Sequence, residues 1–364
     1  YLEGITMCSS KRLITTLVGV LSALTLCSSA ALAQEQKPNV VIIGTGGTIA
    51  GAGASSTNSG AYQSAVIAID KIIAAVPEVK KVANVKGEQI FQIGSESFNN
   101  ERLLKLAHRV SELLKSDDVD GIVITHGTDT LEETSYFLNL TLKSRKPVVL
   151  VGAMRPGTAL SADGPLNVYN AVVVAASKQA AGLGTLVVMN DEIHSARDVT
   201  KTNSLKVETF RSLYGPLGTV VESQLRFYRA PIRPHTLQSE FDIDKIQSLP
   251  EVNVVYTHGN MSRVPYDAFV AAGAKAIIHM GFGNGSVPDY LDSALREIRA
   301  KGVFIVRTTR TGSGAIVRNG ETNDDKNDYI VVDDQNPAKA RILMALALMK
   351  TNSTAELQKI FWKY

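Results

Sequence analysis

The chain has 364 residues, 45% hydrophobic and 20% charged, with 38 Lys+Arg against 35 Asp+Glu and a formal net charge of +3. Those values suit a folded protein and exclude a disordered tail, a collagen-like repeat and a disulfide-stapled miniprotein. The near-balanced charge and the 6% aromatic content give no basis for nucleic-acid or membrane-surface binding, and the length predicts two domains.

Residues 1–33 read as a secretory signal peptide with a short N-terminal extension ahead of Met7, a natural start. Basic Lys11 and Arg12 precede an apolar run, Leu13–Leu26, too short for a membrane span, and Ala31-Leu32-Ala33 has the small-x-small cleavage pattern. Cleavage there leaves a chain beginning at Gln34, expected in the periplasm. Both cysteines, Cys8 and Cys27, fall in the leader. The mature chain then has no disulfide and no cysteine nucleophile. Leu26, where a lipid-anchor signal usually has a small residue, argues against acylation of Cys27.

The mature chain alternates short β-branched runs, Gly/Thr-rich loops and helical patterns. Val40–Ile43, Gly121–Thr125, Val148–Val151 and Leu186–Met189 read as strands buried on both faces. Leu103, Leu106, Ala107, Val110, Leu113 and Leu114 share one helical face. Thr130 and Glu133 form a capping-box pattern that starts a helix near Leu131. Phe227–Pro250, with Pro231, Pro234 and Pro250 and little periodicity, reads as a linker. Beyond it, Val252–Tyr256, Ala276–Met280 and Val303–Val306 read as strands. Helices are expected near Tyr266–Ala272, Tyr290–Lys301, Pro337–Lys350 and Thr354–Trp362. The fold class is α/β, with two domains of mostly parallel sheet: a catalytic domain over 34–228, a linker over 229–250 and a second domain over 251–364.

Ligands of open α/β sheets sit off the carboxyl ends of strands, which singles out Thr45, Thr48, Ser95, Glu96, Thr128, Asp129 and, further along, Lys201. Gly44-Thr45-Gly46-Gly47-Thr48-Ile49 fails the dinucleotide fingerprint at Ile49, and no Gly-Lys-Ser/Thr follows to make a phosphate loop. A tight turn capped by threonine and a threonine nucleophile on a thin backbone both fit it. Thr128-Asp129 sits before a helix start, where it serves equally as a cap or as part of an oxyanion and cation site. Lys201, among small hydroxyl residues, is either a solvated charge or a partly buried base. Glu132 and Glu133 read as surface charges favoured by the helix dipole. His108, His126, His194, His235, His258 and His279 have no metal-ligand spacing, so no metal is expected.

Thr45-Gly46-Gly47-Thr48-Ile49-Ala50-Gly51, Ile124-Thr125-His126-Gly127-Thr128-Asp129-Thr130, Gly152-Ala153-Met154-Arg155-Pro156, Ser161-Ala162-Asp163-Gly164-Pro165 and Arg197-Asp198-Val199-Thr200-Lys201-Thr202-Asn203 follow one another in this order. In these motifs the chain resembles the bacterial type II L-asparaginases, and more closely the periplasmic glutaminase-asparaginases. The resemblance runs from about Asn39 to the C-terminus. It implies Thr48 as nucleophile with Tyr62 beside it on a flap, and Thr128 as a second catalytic threonine with Lys201 and Asp129 as its relay. It implies that Ser95 and Glu96 grip the substrate's α-carboxylate and α-amine, with Asp129 also on the amine, and that the Ala153 carbonyl takes the side-chain amide N–H. Asn260 and Glu321 occupy positions that the family donates to a neighbouring subunit of a homotetramer. The family uses no metal or cofactor. Glu96, where many asparaginase-preferring members have Gln, and Thr257–Ser262 resemble the dual-specificity branch, so the expected substrates are L-glutamine and L-asparagine. Two other classes bear on the same sequence: a periplasmic amino-acid-binding protein without hydrolysis, and a nucleotide-dependent enzyme, against which the failed fingerprints argue.

Overall fold

The computed structural model describes residues 36–364. The expected leader, its cleavage site and both cysteines lie outside the described residues. Strands β1 (Asn39–Gly46), β2 (Asn84–Ile93), β3 (Gly121–Thr125), β4 (Val148–Val151) and β5 (Thr185–Met189) run parallel in the order 2-1-3-4-5. After β5 the chain turns antiparallel. β6 (Glu192–Ser195) returns along β5, and β7 (Val199–Lys201) and β8 (Phe210–Ser212) pair as a separate hairpin. β9 (Gly218–Val221) and β10 (Gln224–Phe227) complete an eight-stranded sheet.

The β-branched runs form central strands because both faces of this sheet are covered. Along β1, Val41 and Ile43 enter one core while Val40 and Ile42 enter the other, the period of two that a pleated strand imposes. The first core packs against α3 (Asn100–Leu114) and α4 (Leu131–Thr141). The second packs against α1 (Ile69–Ala74), α2 (Val79–Val82) and α5 (Gly164–Ala175). Each fully buried Ile, Leu or Val there is worth roughly 1.5–3 kcal/mol over leaving it in water.

A four-stranded sheet, all parallel, contains β11 (Val252–Tyr256), β12 (Ala276–Gly281), β13 (Phe304–Thr309) and β14 (Ile330–Val331). α6 (Val264–Ala271) and α7 (Asp289–Ala300) cover one face. Short α8 (Asp324–Asn327) precedes β14. α9 (Pro337–Ala347), opened by the proline expected in a first turn, packs on the other face and also against α4, so one core spans both sheets. α10 (Thr354–Lys363) ends the chain.

Beyond Phe227, which ends β10, the stretch expected as a linker has no strand or α-helix, but it buries Phe241, Ile243 and Ile246 in the first core through short 3-10 turns. Its hydrophobic anchors are too irregularly spaced to register as a period. Pro38–Tyr364 forms one packed unit.

The parallel order changes direction between β1 and β3. In such sheets the chains leave these two strands on opposite sides and open a crevice at their carboxyl ends. Thr48 follows β1 and Thr128 follows β3.

Candidate active site

Two glycine turns close this crevice onto itself. Gly47 has φ +81°, and a Cβ there would lie 2.2 Å from the Gly127 Cα; Gly46, at φ +108°, would place one 2.3 Å from the Ile93 carbonyl. Only glycine fits both the left-handed backbone and the contact. The touching Gly47 and Gly127 bring the next residues, Thr48 and Thr128, onto adjoining turns.

Thr48 Oγ1 is hydrogen-bonded to the Tyr62 hydroxyl at 2.6 Å. Tyr62 reaches it from a flap whose backbone is tied back by reciprocal Ala52–Gln63 bonds of 3.0 and 2.9 Å. Gly51 and Gly53 make room: a Cβ on Gly51 would meet the Tyr62 ring at 2.8 Å, and one on Gly53 the Ala61 carbonyl at 2.8 Å.

Lys201 Nζ donates to Thr128 Oγ1 at 2.9 Å and to Asp129 Oδ1 at 2.7 Å. An ammonium has donors only, so Thr128 accepts, and its own proton points away from the lysine. Asp129 is more than half exposed and Lys201 19% exposed, so the ion pair adds little to stability. Its consequence is placement of three groups. The structure corrects the expected site of Lys201: it lies within strand β7, not in a loop past a strand end.

The expected capping box does not form. The Thr130 hydroxyl donates to the Ser95 carbonyl at 2.8 Å, and Glu133 pairs with Arg341 on α9 at 2.7 Å. Glu132 is likewise no surface charge, since it accepts the Lys201 backbone N–H at 3.0 Å. Long-range partners outcompete the local caps.

Ser95, 2% exposed, accepts the Asp129 N–H on Oγ at 3.1 Å. Glu96, next in a 3-10 turn, is exposed and folds back over Gly94. Ala153 is fully buried in a turn held by Asp163, whose carboxylate accepts the N–H groups of Met154 and Arg155 at 2.9 Å each.

Asn260 and Glu321 are not brought to this cluster by their own chain. Asn260, exposed with φ +61°, lies after β11 beside a cavity of about 370 Å³ bordered by Tyr256 and Phe269. Glu321, also exposed, accepts from the Ser286 hydroxyl. A buried pair organises its loop. Arg307 meets Asp324 at 2.6 and 2.8 Å and holds the carbonyls of Asn284 and Gly285, while Asp324 accepts the Asn319 N–H at 2.8 Å.

His126 sits in the middle motif but is fully buried. Burial pushes its pKa down to about 4, against an upward pull from the Gly127 carbonyl. It is bonded to that carbonyl at 2.7 Å and to Thr134 at 3.1 Å, which makes it a neutral brace of the turn. Among the described residues no group of three or more His, Cys, Asp or Glu is placed to hold a metal ion. None of the described helices is long and apolar enough to cross a membrane.

The site thus holds two threonine hydroxyls, one on a tyrosine and one on a lysine–aspartate pair, with backbone N–H groups at the start of α4 nearby. Such an arrangement can attack an acyl carbon and hold the resulting oxyanion. The Asparaginase, N-terminal family matches residues 39–233, and the Glutaminase/Asparaginase C-terminal domain family matches residues 251–361. A glutaminase-asparaginase of Pseudomonas aeruginosa is 55% identical, over 95% of this chain and 97% of its own length. The L-asparaginase 2 of Escherichia coli is 46% identical, over 93% and 95% respectively. The crystal structure of a probable cytoplasmic L-asparaginase from Campylobacter jejuni superimposes with a TM-score of 0.87 at 44% identity, covering 90% of this chain and all of that one. With both family domains in order along its α/β sheets, the chain belongs to the asparaginase/glutaminase family.

Proposed function

We propose that the chain is an amidohydrolase converting L-glutamine and L-asparagine to L-glutamate and L-aspartate with release of ammonia. The observation that carries this reading is the pairing of Thr48 with Tyr62 beside Thr128 with Lys201 and Asp129. Similarity to glutaminase-asparaginases from Pseudomonas aeruginosa, Pseudomonas fluorescens and Acinetobacter glutaminasificans supports the substrate pair.

In the mechanism, Thr48 Oγ attacks the side-chain amide carbon, and its proton leaves through Tyr62 and Glu321. Thr128 and the N-terminal end of α4 hold the oxyanion. The C–N bond breaks, and the nitrogen departs as ammonia with the proton gained. Water, oriented by Thr128 and Lys201, then hydrolyses the ester and restores the threonine. Ser95, Glu96 and Asp129 hold the amino-acid end, Asn260 adds a contact to it, and the Ala153 carbonyl accepts the amide N–H.

The deciding experiment is ammonia release by purified protein with L-glutamine and L-asparagine side by side. Turnover of both is expected. Saturable binding of either amino acid without ammonia would replace the enzyme by a periplasmic binding protein.

We read the chain as two domains, over 34–228 and 251–364, joined by 229–250, a division that the presence of two separate, mostly parallel sheets supports. The working form is a homotetramer exported to the periplasm through the leader at 1–33, with each site completed by Glu321 and Asn260 of a neighbouring subunit. Exposed Tyr228, Ile232, Tyr256, Val264 and Tyr290 support burial of further surface between copies. Mixing inactive Thr48→Ala and Glu321→Ala subunits under exchange tests the shared site. A hybrid pair has one doubly damaged site and one intact site, so activity reappears. Verified exchange without recovery would place both residues in one chain's site.

A further inference from the structure

Glu132 follows Asp129 by about one helical turn, and the two carboxylates take opposite ends of the same lysine. Asp129 Oδ1 accepts from Lys201 Nζ at 2.7 Å, and Glu132 Oε2 accepts the Lys201 backbone N–H at 3.0 Å. The second Glu132 oxygen accepts from Asn336 Nδ2 at 3.3 Å, which also reaches the Thr200 hydroxyl at 3.3 Å. Asn336 is the N-cap of α9, and its Oδ1 accepts the Lys339 N–H at 2.9 Å. Lys339, 2% exposed, donates Nζ to the carbonyls of Arg197, at 2.9 Å, and Val199. Burial holds its ammonium down at about 8.

These contacts fill one edge of β7. The Thr202 N–H bonds the Thr209 carbonyl at 2.8 Å on the β8 side. In an antiparallel pair alternate residues face opposite edges, so the backbone groups of Val199 and Lys201 face away from β8. There a carboxylate and a buried ammonium stand where a third strand would pair. Strand β7 has only three residues, too few to hold a side chain in place by ladder bonds alone.

We propose that Glu132, braced by Asn336 from the C-terminal half, is a positioning residue that sets Lys201 against Thr128. It contacts neither substrate nor reacting atoms. It fixes the backbone from which the lysine reaches the second threonine. This rests on the amidohydrolase reading.

The test uses the full chain with Glu132→Ala, Glu132→Gln and Asn336→Ala, and Lys201→Met as reference. Kinetics are measured on L-asparagine, and amide hydrogen exchange is measured at Lys201 and Thr202. Glu132→Ala is expected to lower kcat by about 10²-fold with KM little changed, because a displaced catalytic group costs turnover more than binding. Glu132→Gln keeps an acceptor oxygen and largely restores kcat. Exchange at the Lys201 amide quickens in Glu132→Ala, while the Thr202 amide stays protected. If Glu132→Ala fails to fold, Asn336→Ala carries the test, with a smaller fall in kcat, KM unchanged and faster exchange at Lys201. Parent-like kcat in the alanine variants, equal losses in Glu132→Ala and Glu132→Gln, or unchanged exchange at Lys201 would overturn the proposal. Should the parent chain release no ammonia, the amidohydrolase reading fails separately, and exchange at Lys201 alone decides whether Glu132 holds that strand.

Discussion

Replacing Thr48 by alanine is expected to lower kcat for both amides by about 10³-fold or more, the scale seen when a covalent nucleophile is removed. The proposed amino-acid grip at Ser95, Glu96 and Asp129 is untouched, so binding of L-asparagine, measured by calorimetry, should survive. Thr128→Ala should also cripple turnover, for a different reason. In the proposed mechanism the oxyanion and the deacylating water then lose a donor, while Thr48 would still form the ester. Quenched Thr128→Ala or Lys201→Met protein exposed to L-asparagine should therefore carry an aspartyl adduct on the peptide containing Thr48. An adduct on Thr128 in the Thr48→Ala background would exchange the two roles. Tyr62 sits on the Thr48 side and Lys201 on the Thr128 side. Neither relay is bonded to both hydroxyls, which is why the threonines are expected to fail differently.

Gly47→Ala should be nearly as damaging, although it changes no functional group. At φ +81° and ψ −171° the backbone of residue 47 is in a region that side-chain-bearing residues avoid at a strain of about 1–3 kcal/mol. The added Cβ would also lie 2.2 Å from the Gly127 Cα and 2.4 Å from the Gly127 N, backbone atoms that cannot swing aside as the end of a side chain can. The two turns must part, and Thr48 moves from Thr128. A displacement of order 1 Å at reacting groups costs about 10²-fold in turnover. Both a fall in kcat and a lower urea midpoint are expected. Gly157→Ala serves as control, because a Cβ there meets nothing closer than 4.0 Å. Parent-like kinetics and stability in Gly47→Ala would mean that the turns are not held by this contact.

The strands and helices that could be read from the chain alone are those whose burial is uniform or strictly periodic. β3, β4 and β11 have the residues expected, and β1, β5, β12 and β13 differ by a few residues at their ends, because continuous β-branched runs have few alternatives. α3 follows from its apolar stripe. β2 carries no such signal, because it mixes half-buried and exposed positions, with Lys86, Glu88 and Gln89 along it. The short antiparallel strands after β5 are too brief for periodicity to register. Thr48, Thr128, Asp129 and Lys201 stood out through the motifs that carry them. Their grouping depends on the 2-1-3-4-5 strand order, which local patterns do not encode. Local chemistry misled most at the start of α4. Thr130 and Glu133 had the spacing of a cap, and Glu132 looked like a solvated charge. Partners far along the chain decide otherwise: Ser95 for Thr130, Lys201 for Glu132 and Arg341 for Glu133. A carboxylate at a helix start is favoured by the helix dipole whether its oxygens meet water or a backbone N–H brought to it. Only the folding of β7 against α4, 69 residues apart in sequence at the Glu132–Lys201 bond, settles which of the two it meets.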